Sequence, residues 1–586
     1  SRFVGPLSSI GPDFYKYYIT DTLWTDNLMN VELSFVPRVS STHGFTGKFT
    51  EVVGDSTFFV KTVKMGLPKE ANINFVEKLN LTQSFHLDSA GNRIKDFETT
   101  DAILSLIPGT QSILIKKYTD FYDYIFTETI GPYHLSQEQN NAEYCREVSL
   151  EDIRTQPLSH GEASLPNMMA AYRRKPVLYW TEQIIRALIN GYIPTSSTNS
   201  KFDLGPLNTL FSANDVEGLR LRVGGMTTAK LSKHWFCRGY LAYGFKDQRL
   251  KYKGEAEYSF NKKQDHSREF PINSIRISHL YDVDMLGQHY LFTNSDNVFL
   301  SWKRMKNRLM TYHRVSAISY TREYINNLSF GISLKHEIQE STKYLPFITP
   351  SGDINKTYTE TTLNAELRFA PGEKFYQLRN ERIPINKDAP IFILRHTFGP
   401  KHICGNSFTI NRTEASIQNR FWFSAFGHLD VILKGGHIWS EVPYPSLISP
   451  NANLSYTIPP ERFALMNPME FMSDTYYSWF VSYKADGAVF NYIPVLKRLH
   501  LREVFSCNGY YGTLDKKNNP MYNNKLFIFP QASHYTPMTR TPYIEASIGI
   551  DNIMKCIRID YVWRITYRDI PERDRNGIRI AFHASF

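Results

Sequence analysis

From Asn576 to Phe586, Ile578, Ile580, Phe582, Ala584 and Phe586 alternate with Arg579, Ala581, His583 and Ser585. A period of two is that of a β-strand whose two faces differ in polarity. The same period runs upstream. Ile557, Ile559, Tyr561, Trp563, Ile565 and Tyr567 oppose Arg558, Asp560, Arg564, Thr566 and Arg568, with Val562 as the one apolar residue on the polar side. Ile544, Ala546, Ile548 and Ile550 oppose Glu545, Ser547, Gly549 and Asp551. Leu328, Phe330, Ile332 and Leu334 oppose Ser329, Gly331, Ser333 and Lys335, and Leu363, Ala365, Leu367 and Phe369 oppose Thr362, Asn364, Glu366 and Arg368. Less regular runs occupy 219–225, 237–245, 275–283, 391–398, 410–423 and 429–437.

A soluble antiparallel sandwich also alternates, with the apolar face in its core. Three features favour a membrane barrel. The cleanest runs are about ten residues long, the length of a tilted span. The polar faces mix opposite charges, Glu366 with Arg368 and Arg558 with Asp560, as a hydrated, salt-bridged lumen requires. Aromatic residues (Trp563, Tyr567, Phe421–Phe423, Tyr476, Tyr477, Trp479) gather near the expected strand ends, as interfacial girdles do. At roughly 23 residues per strand and connection, 215–586 holds about sixteen strands, within a range of about fourteen to sixteen.

The expected fold is therefore all-β: a transmembrane antiparallel β-barrel over 215–586, behind an N-terminal periplasmic curved β-sheet domain over 1–135. In the latter, 31–37, 46–53, 57–66, 72–85 and 112–126 read as strands, and such a sheet can enclose an apolar cavity or serve as a scaffold. Residues 136–214 read as a linker with an amphipathic helix at 177–190, which either packs on the barrel mouth or lies in the inner leaflet.

The long connection 441–472 is punctuated by prolines, and Glu461–Met472 (ERFALMNPMEFM) reads as a short amphipathic helix burying Phe463, Met466 and Phe471. It is a candidate plug or lid, with a packed cap as the plain alternative. Glu366, Arg368, Arg558, Asp560 and Arg564 form the candidate lumen network, either a gating device or an ion-pair lattice bracing the wall. Phe582 and the terminal Phe586 form the candidate C-terminal barrel signal.

Composition narrows the picture further. No run of about eighteen apolar residues occurs, so membrane helices are excluded and a barrel is not. The formal charge is +10, from 67 Lys and Arg against 57 Asp and Glu. The basic residues are scattered rather than clustered, which argues against nucleic acid as a partner. The cysteines Cys145, Cys237, Cys404, Cys507 and Cys556 lie far apart, so neither a metal site nor a disulfide framework is expected. A chain that starts at Ser1 without a targeting segment is expected to be processed or partial. No H-E-x-x-H, G-x-S-x-G, P-loop or G-x-G-x-x-G motif occurs, so no catalytic residues and no cofactor are expected. An embedded hydrolase would need a Ser, His or carboxylate cluster assembled by the fold.

The stretches RLRVGGMTTAKLSKHWFCRGYLAYGFKDQRLKYKGEAEYSF (220–260), LRFAPGEKFYQLRNERIPINKDAPIFILRHTFG (367–399), ALMNPMEFMSD (464–474) and IPVLKRLHLREVF (493–505) carry a family resemblance, as do LSFVPR (33–38) and TVKMGLPKEANINFVEKL (62–79). Together with the terminal Phe586 they resemble a large Bacteroidota outer-membrane barrel family of unknown function. Its members often carry an N-terminal carboxypeptidase-regulatory-like domain, which this sequence lacks. The resemblance implies a fold and a compartment, the outer membrane, rather than a reaction. The N-terminal sheet is similar to the half-barrel of periplasmic lipoprotein carriers, and the whole is similar to protein-insertion and translocation barrels. By that analogy the expected role is non-enzymatic: envelope assembly, or translocation of lipoprotein, lipid or protein in a larger complex. The alternative is an accessory scaffold barrel. The expected partners are outer-membrane lipids including lipopolysaccharide, and other outer-membrane proteins or lipoproteins.

Overall fold

The alternating runs form strands in the computed structural model. It describes residues 3–25, 28–38, 44–54, 58–68, 73–88, 91–105, 112–122, 124, 157–158, 160–177, 180–182, 191–196, 199–286, 308–377, 382–423, 426–458, 461–493, 495–496, 499–571 and 573–582. Seven strands make an N-terminal antiparallel meander: β1 (Tyr15–Thr25), β2 (Leu28–Pro37), β3 (Thr46–Val53), β4 (Phe58–Gly66), β5 (Val76–Leu87), β6 (Arg93–Leu104) and β7 (Ile113–Asp120). Register shifts at Ile19/Asp21, Thr50/Glu51 and Ser84/Phe85 mark bulges that bend the sheet. Tyr15, Phe35, Phe49 and Val63 form its small core, with Tyr17, Leu33, Met65 and Phe85 packed around them.

Between the two sheets a helix, α1, spans His160–Arg173 in the stretch read as linker. Most of the helix expected at 177–190 lies outside the described residues.

Among the described residues the larger sheet has eighteen strands, one of them the two-residue Ile193–Pro194, which pairs with Phe202–Leu204. Its wall begins with β8 (Phe202–Leu204) and β9 (Phe211–Asn214), which pair with opposite ends of β10 (Gly218–Thr227). An antiparallel meander follows: β11 (Trp235–Gly244), β12 (Leu250–Ser259), β13 (Asn273–Met285), β14 (Met310–Glu323), β15 (Leu328–Glu340), β16 (Thr357–Phe369), β17 (Ile391–Gly399) and β18 (Ile410–Trp422). It continues through β19 (His428–Ile438), β20 (Thr475–Lys484), β21 (Arg502–Thr513), β22 (Tyr543–Ile553), β23 (Ile557–Arg564) and β24 (Asn576–Phe582). The sheets touch where Asn74 and Asn552 exchange amide hydrogen bonds (2.5 and 3.1 Å) and Lys555 lies over the Phe75 ring.

Burial in this wall is inverted. Val223 is 66% exposed, Leu241 58%, Ile277 56% and Leu334 52%, whereas Lys251, Glu257, Glu545 and Arg564 on the opposite face are at most 1% exposed. A soluble sheet does the reverse, because apolar surface costs about 25 cal/mol per Å² when left in water. The apolar face is edged by two aromatic rows. Trp235, Tyr258 and Phe260 mark one edge, with ring centroids 5.0 and 5.3 Å apart. Tyr252, Tyr281 and Tyr312 mark the other, at 6.2 and 6.1 Å. Trp479 lies over Gly509 on the facing strand, where any Cβ would collide with the indole.

Candidate functional site

Between β19 and β20 the chain turns onto the polar face of the sheet and stays there. Val442, Leu447, Phe463, Leu465, Met466 and Phe471 are each at most 1% exposed. Phe463 packs against Phe480, Tyr510 and Tyr543 at 4.9, 6.3 and 5.6 Å, which plants the segment on β20, β21 and β22. Ser446 meets Tyr358 of β16 at 2.7 Å and also bonds Glu360. Contacts that run from β16 to β24 on one segment require the sheet to curl around it.

The segment is also polar where the wall can answer. Glu470 receives two hydrogen bonds from Arg564 of β23, at 2.8 and 2.9 Å, and Arg573 lies 3.3 Å away. None of the three side chains is more than 4% exposed. Lys434 of β19 pairs with Glu461. Glu545 of β22 accepts from the backbone N–H groups of Ala464 (2.8 Å) and Leu465 (3.1 Å), and Arg579 of β24 donates to the Ala464 carbonyl. Buried charges are tolerated only when paired in this way. The two ends of the segment clasp each other through Ile448 and Ser473, at 3.0 and 2.9 Å. Its middle reaches β24, where the Ile580 N–H donates to the Tyr456 carbonyl (2.7 Å) and Thr457 forms a parallel bridge with Ile580. Ile580 pairs with Ile559 of β23 on its other side, so the segment holds the edge of β24 that β23 leaves.

Residues 185–522 match the DUF5686 C-terminal domain, a family of unknown function. The chain belongs to that family. The DUF5686 region takes in β8 to β21 and the whole buried segment, while β22, β23 and β24 follow it. No curated protein matches the chain in sequence. Among solved structures the chain is similar to BamA from Haemophilus ducreyi lacking POTRA domains 1–3, at 8% identity and a TM-score of 0.38, covering 87% of this chain and 91% of that one.

The sequence-derived site residues fall into place unevenly in this DUF5686 protein. Phe463, Met466 and Phe471 are buried, but Glu461–Met472 is not the expected helix. Pro468 interrupts it, Glu461 and Met469 take positive φ, and its N–H groups at Ala464 and Leu465 are spent on Glu545. Arg558 and Asp560 pair with each other at 2.7 Å. Glu366 and Arg368 do not: Glu366 binds Arg395 of β17 (3.0 Å) and Arg368 binds Glu373 (2.6 Å). Arg564 belongs to the buried segment's anchor, so these five residues form separate pairs rather than one network. Three residues assigned to the aromatic girdles turn inward instead, among them Trp422, whose ring lies 4.7 Å from that of buried His428. Tyr476 stacks on Tyr510 at 5.8 Å, and Tyr567 packs against Phe471 at 5.2 Å. Adjacent residues of a strand face opposite ways, so Tyr476 and Tyr477 cannot share a girdle. Phe582 is exposed on the apolar face, and Phe586 lies outside the described residues.

Sequence reasoning missed Lys434, Glu461, Glu470 and Glu545. Glu461 and Glu470, flanking the apolar anchors Phe463 and Met466, were a usable signal, since a carboxylate buried among them needs a partner. A hydrolase-like chain also occurs: His313 lies 2.8 Å from Thr311 Oγ1 and 2.5 Å from Glu337. Thr311 is completely buried. Among the described residues no group of three His, Cys, Asp or Glu is placed to hold a metal ion.

The connection between β12 and β13 carries a pH-sensitive element. Burial, partly offset by Glu269, pushes the His266 imidazole down to about 4. Its Nδ1 accepts from the Arg268 N–H at 3.0 Å, and Nε2 lies against the Gln377 amide. Lys263, Asp265, Arg268 and Glu269 surround the ring. Between about pH 6.5 and 4 the opened state binds the extra proton, so local stability falls as the pH drops through that window. Protection factors over 260–272, corrected for the intrinsic pH dependence of amide exchange, are expected to fall at pH 5 relative to pH 7.5, and H266Q is expected not to show that loss of protection.

Proposed function

We propose that this chain is an outer-membrane β-barrel of about sixteen strands, with β8 and β9 counted as one interrupted strand and the N-terminal sheet in the periplasm. We assign it to the Bacteroidota envelope. Its role is non-enzymatic and lies in envelope assembly or in moving lipoprotein, lipid or protein substrates within a larger complex. The observation that carries this reading is the inverted burial of the wall, apolar residues exposed and charged residues enclosed. From Trp235 to Tyr243 the strand runs about 27 Å, or about 21 Å at a 40° tilt, close to the roughly 25 Å apolar band of such barrels.

The filled interior argues against a diffusion pore and turns attention to the wall. The edge of β24 held by Tyr456 and Thr457 is the natural place for a seam that opens sideways. The same filled interior also favours a second reading, an accessory scaffold that stabilises outer-membrane proteins or lipoproteins without moving them. Both readings expect co-purifying partners when the native protein is extracted from membranes, and no steady channel in planar bilayers. Recovery of the barrel alone, or an open channel, would overturn this reading. A disulfide between the Ile193–Pro194 strand and Asn576–Phe582, neighbours in the sheet order, separates the two: it should block delivery of substrate proteins to the membrane if the seam opens, and leave delivery unchanged in a scaffold.

A further inference from the structure

Four histidines stand on the apolar face, on strands where the pattern calls for lipid contact. His279 follows Ile275 and Ile277 in β13, His336 follows Ile332 and Leu334 in β15, His396 follows Phe392 and Leu394 in β17, and His437 follows Val431 and Leu433 in β19. Each faces a hydroxyl on the neighbouring strand. The Nδ1 to Oγ distances are 2.8 Å for His279 and Ser316, 2.8 Å for His336 and Thr361, 2.9 Å for His396 and Thr413, and 2.6 Å for His437 and Thr475. The register makes these true cross-strand pairs and links them further, Ser316 to His336 and Thr413 to His437. The result is two arcs in which imidazole and hydroxyl alternate strand by strand.

The arcs lie at one level of the barrel. With strands tilted about 40°, a rung climbs about 3 Å per strand. Between β16 and β17 the register places Ala365 opposite His396, four residues below Thr361 along the strand. That offset lowers the second arc by about 10 Å, so both occupy the same zone. It coincides with the aromatic row at the end of the apolar band opposite the Phe582 end. Tyr252 lies 3.4 Å from His279 Nε2, and the Trp439 ring is 4.4 Å from His437. Next to the first arc, Arg314 and Arg249 share one carboxylate, Glu340, at 3.4 and 3.1 Å, which leaves the patch basic.

A ring N–H pointing into hydrocarbon is costly, and the hydroxyl satisfies one nitrogen only. Among the described residues, Nε2 of His336, His396 and His437 has no protein partner. Metal chelation does not fit: histidines on alternate strands are about 9.6 Å apart, far beyond a shared ion's bond length of about 2 Å. Headgroup phosphates fit, because imidazole donors at the interface give charge-assisted bonds and the nearby arginines complement the charge.

We propose that this histidine belt binds the phosphate groups of lipids in the leaflet opposite the C-terminal strand end, an inference that rests on the outer-membrane barrel reading. The test uses the full chain in detergent micelles, with phosphorylated lipid A, its dephosphorylated form and inorganic phosphate as probes, read by native mass spectrometry. Wild type is expected to retain the phosphorylated lipid about five-fold better than the dephosphorylated one, with inorganic phosphate failing to compete at equal concentration. The H279F/H336F/H396F/H437F variant is expected to lose that preference while keeping the folded, heat-modifiable band. If that variant misfolds, H396Q/H437Q keeps an amide beside each hydroxyl and should roughly halve the preference. Equal retention of both lipids by wild type, an unchanged preference in a folded variant, or full competition by free phosphate would overturn the proposal. Failure of the barrel reading itself would instead appear as a chain that does not insert into the micelle.

Discussion

Replacing Glu470 with leucine should unseat the buried segment. The substitution leaves Arg564 and Arg573 facing each other in an enclosed site without their carboxylate. Removing one partner of a buried pair typically costs about 3–5 kcal/mol, because the remaining charge stays desolvated and unpaired. The segment has other anchors at Glu461, Glu545 and Arg579, so the wall should survive while the segment loosens. The expected result is a lower unfolding midpoint in detergent, new protease cleavage within 442–472 and the appearance of conductance in planar bilayers. The double variant E470L/R564M removes the stranded charge from β23 and should recover part of the loss. A closed, protease-resistant E470L protein of unchanged stability would show that the ion pair does not hold the segment.

The second large effect is expected at Leu334, which is 52% exposed on the apolar face of β15, two residues inside the level of His336. An exposed leucine on a water-soluble protein tolerates arginine within about 0.5 kcal/mol. On a barrel the same change puts a guanidinium into the hydrocarbon and costs about 1–3 kcal/mol at a depth between the interface and the midplane. L334R should therefore lower the folding free energy into lipid vesicles by that amount, measured by denaturant titration. An unchanged value would mean that this face does not meet lipid, and the outer-membrane reading would fall with it.

The wall was legible because its period of two persists through 328–334 and 557–563, and within these runs parity assigns each side chain to a face. Partners were not legible, because register is set by strands far apart in sequence. Glu366 meets Arg395 from the next wall strand rather than Arg368 two residues away. Strand β6 escaped notice because RIKDFETTDAIL lacks clean alternation and is held by pairing on both sides. The segment 441–472 was recognised as buried by its apolar residues, but its conformation follows from the wall's carboxylates and guanidinia rather than from helix propensity. The histidines His279, His336, His396 and His437 share no motif along the chain. Their common setting, a hydroxyl on the neighbouring strand, becomes visible only once the register is known.

The stitching of the buried segment to the last three wall strands has a consequence for how the molecule is made. Its partners Glu545, Arg564, Arg579 and Ile580 all follow it in the chain. Threading so bulky a segment through a completed wall would require breaking the contacts that hold it. The content therefore goes in before the container is finished, and the last strands dock onto a template already carrying their polar partners. On the barrel reading proposed above, maturation of the wall and loading of its interior are one event, and a chain cut after β21 would be expected to leave an open trough with its filling exposed.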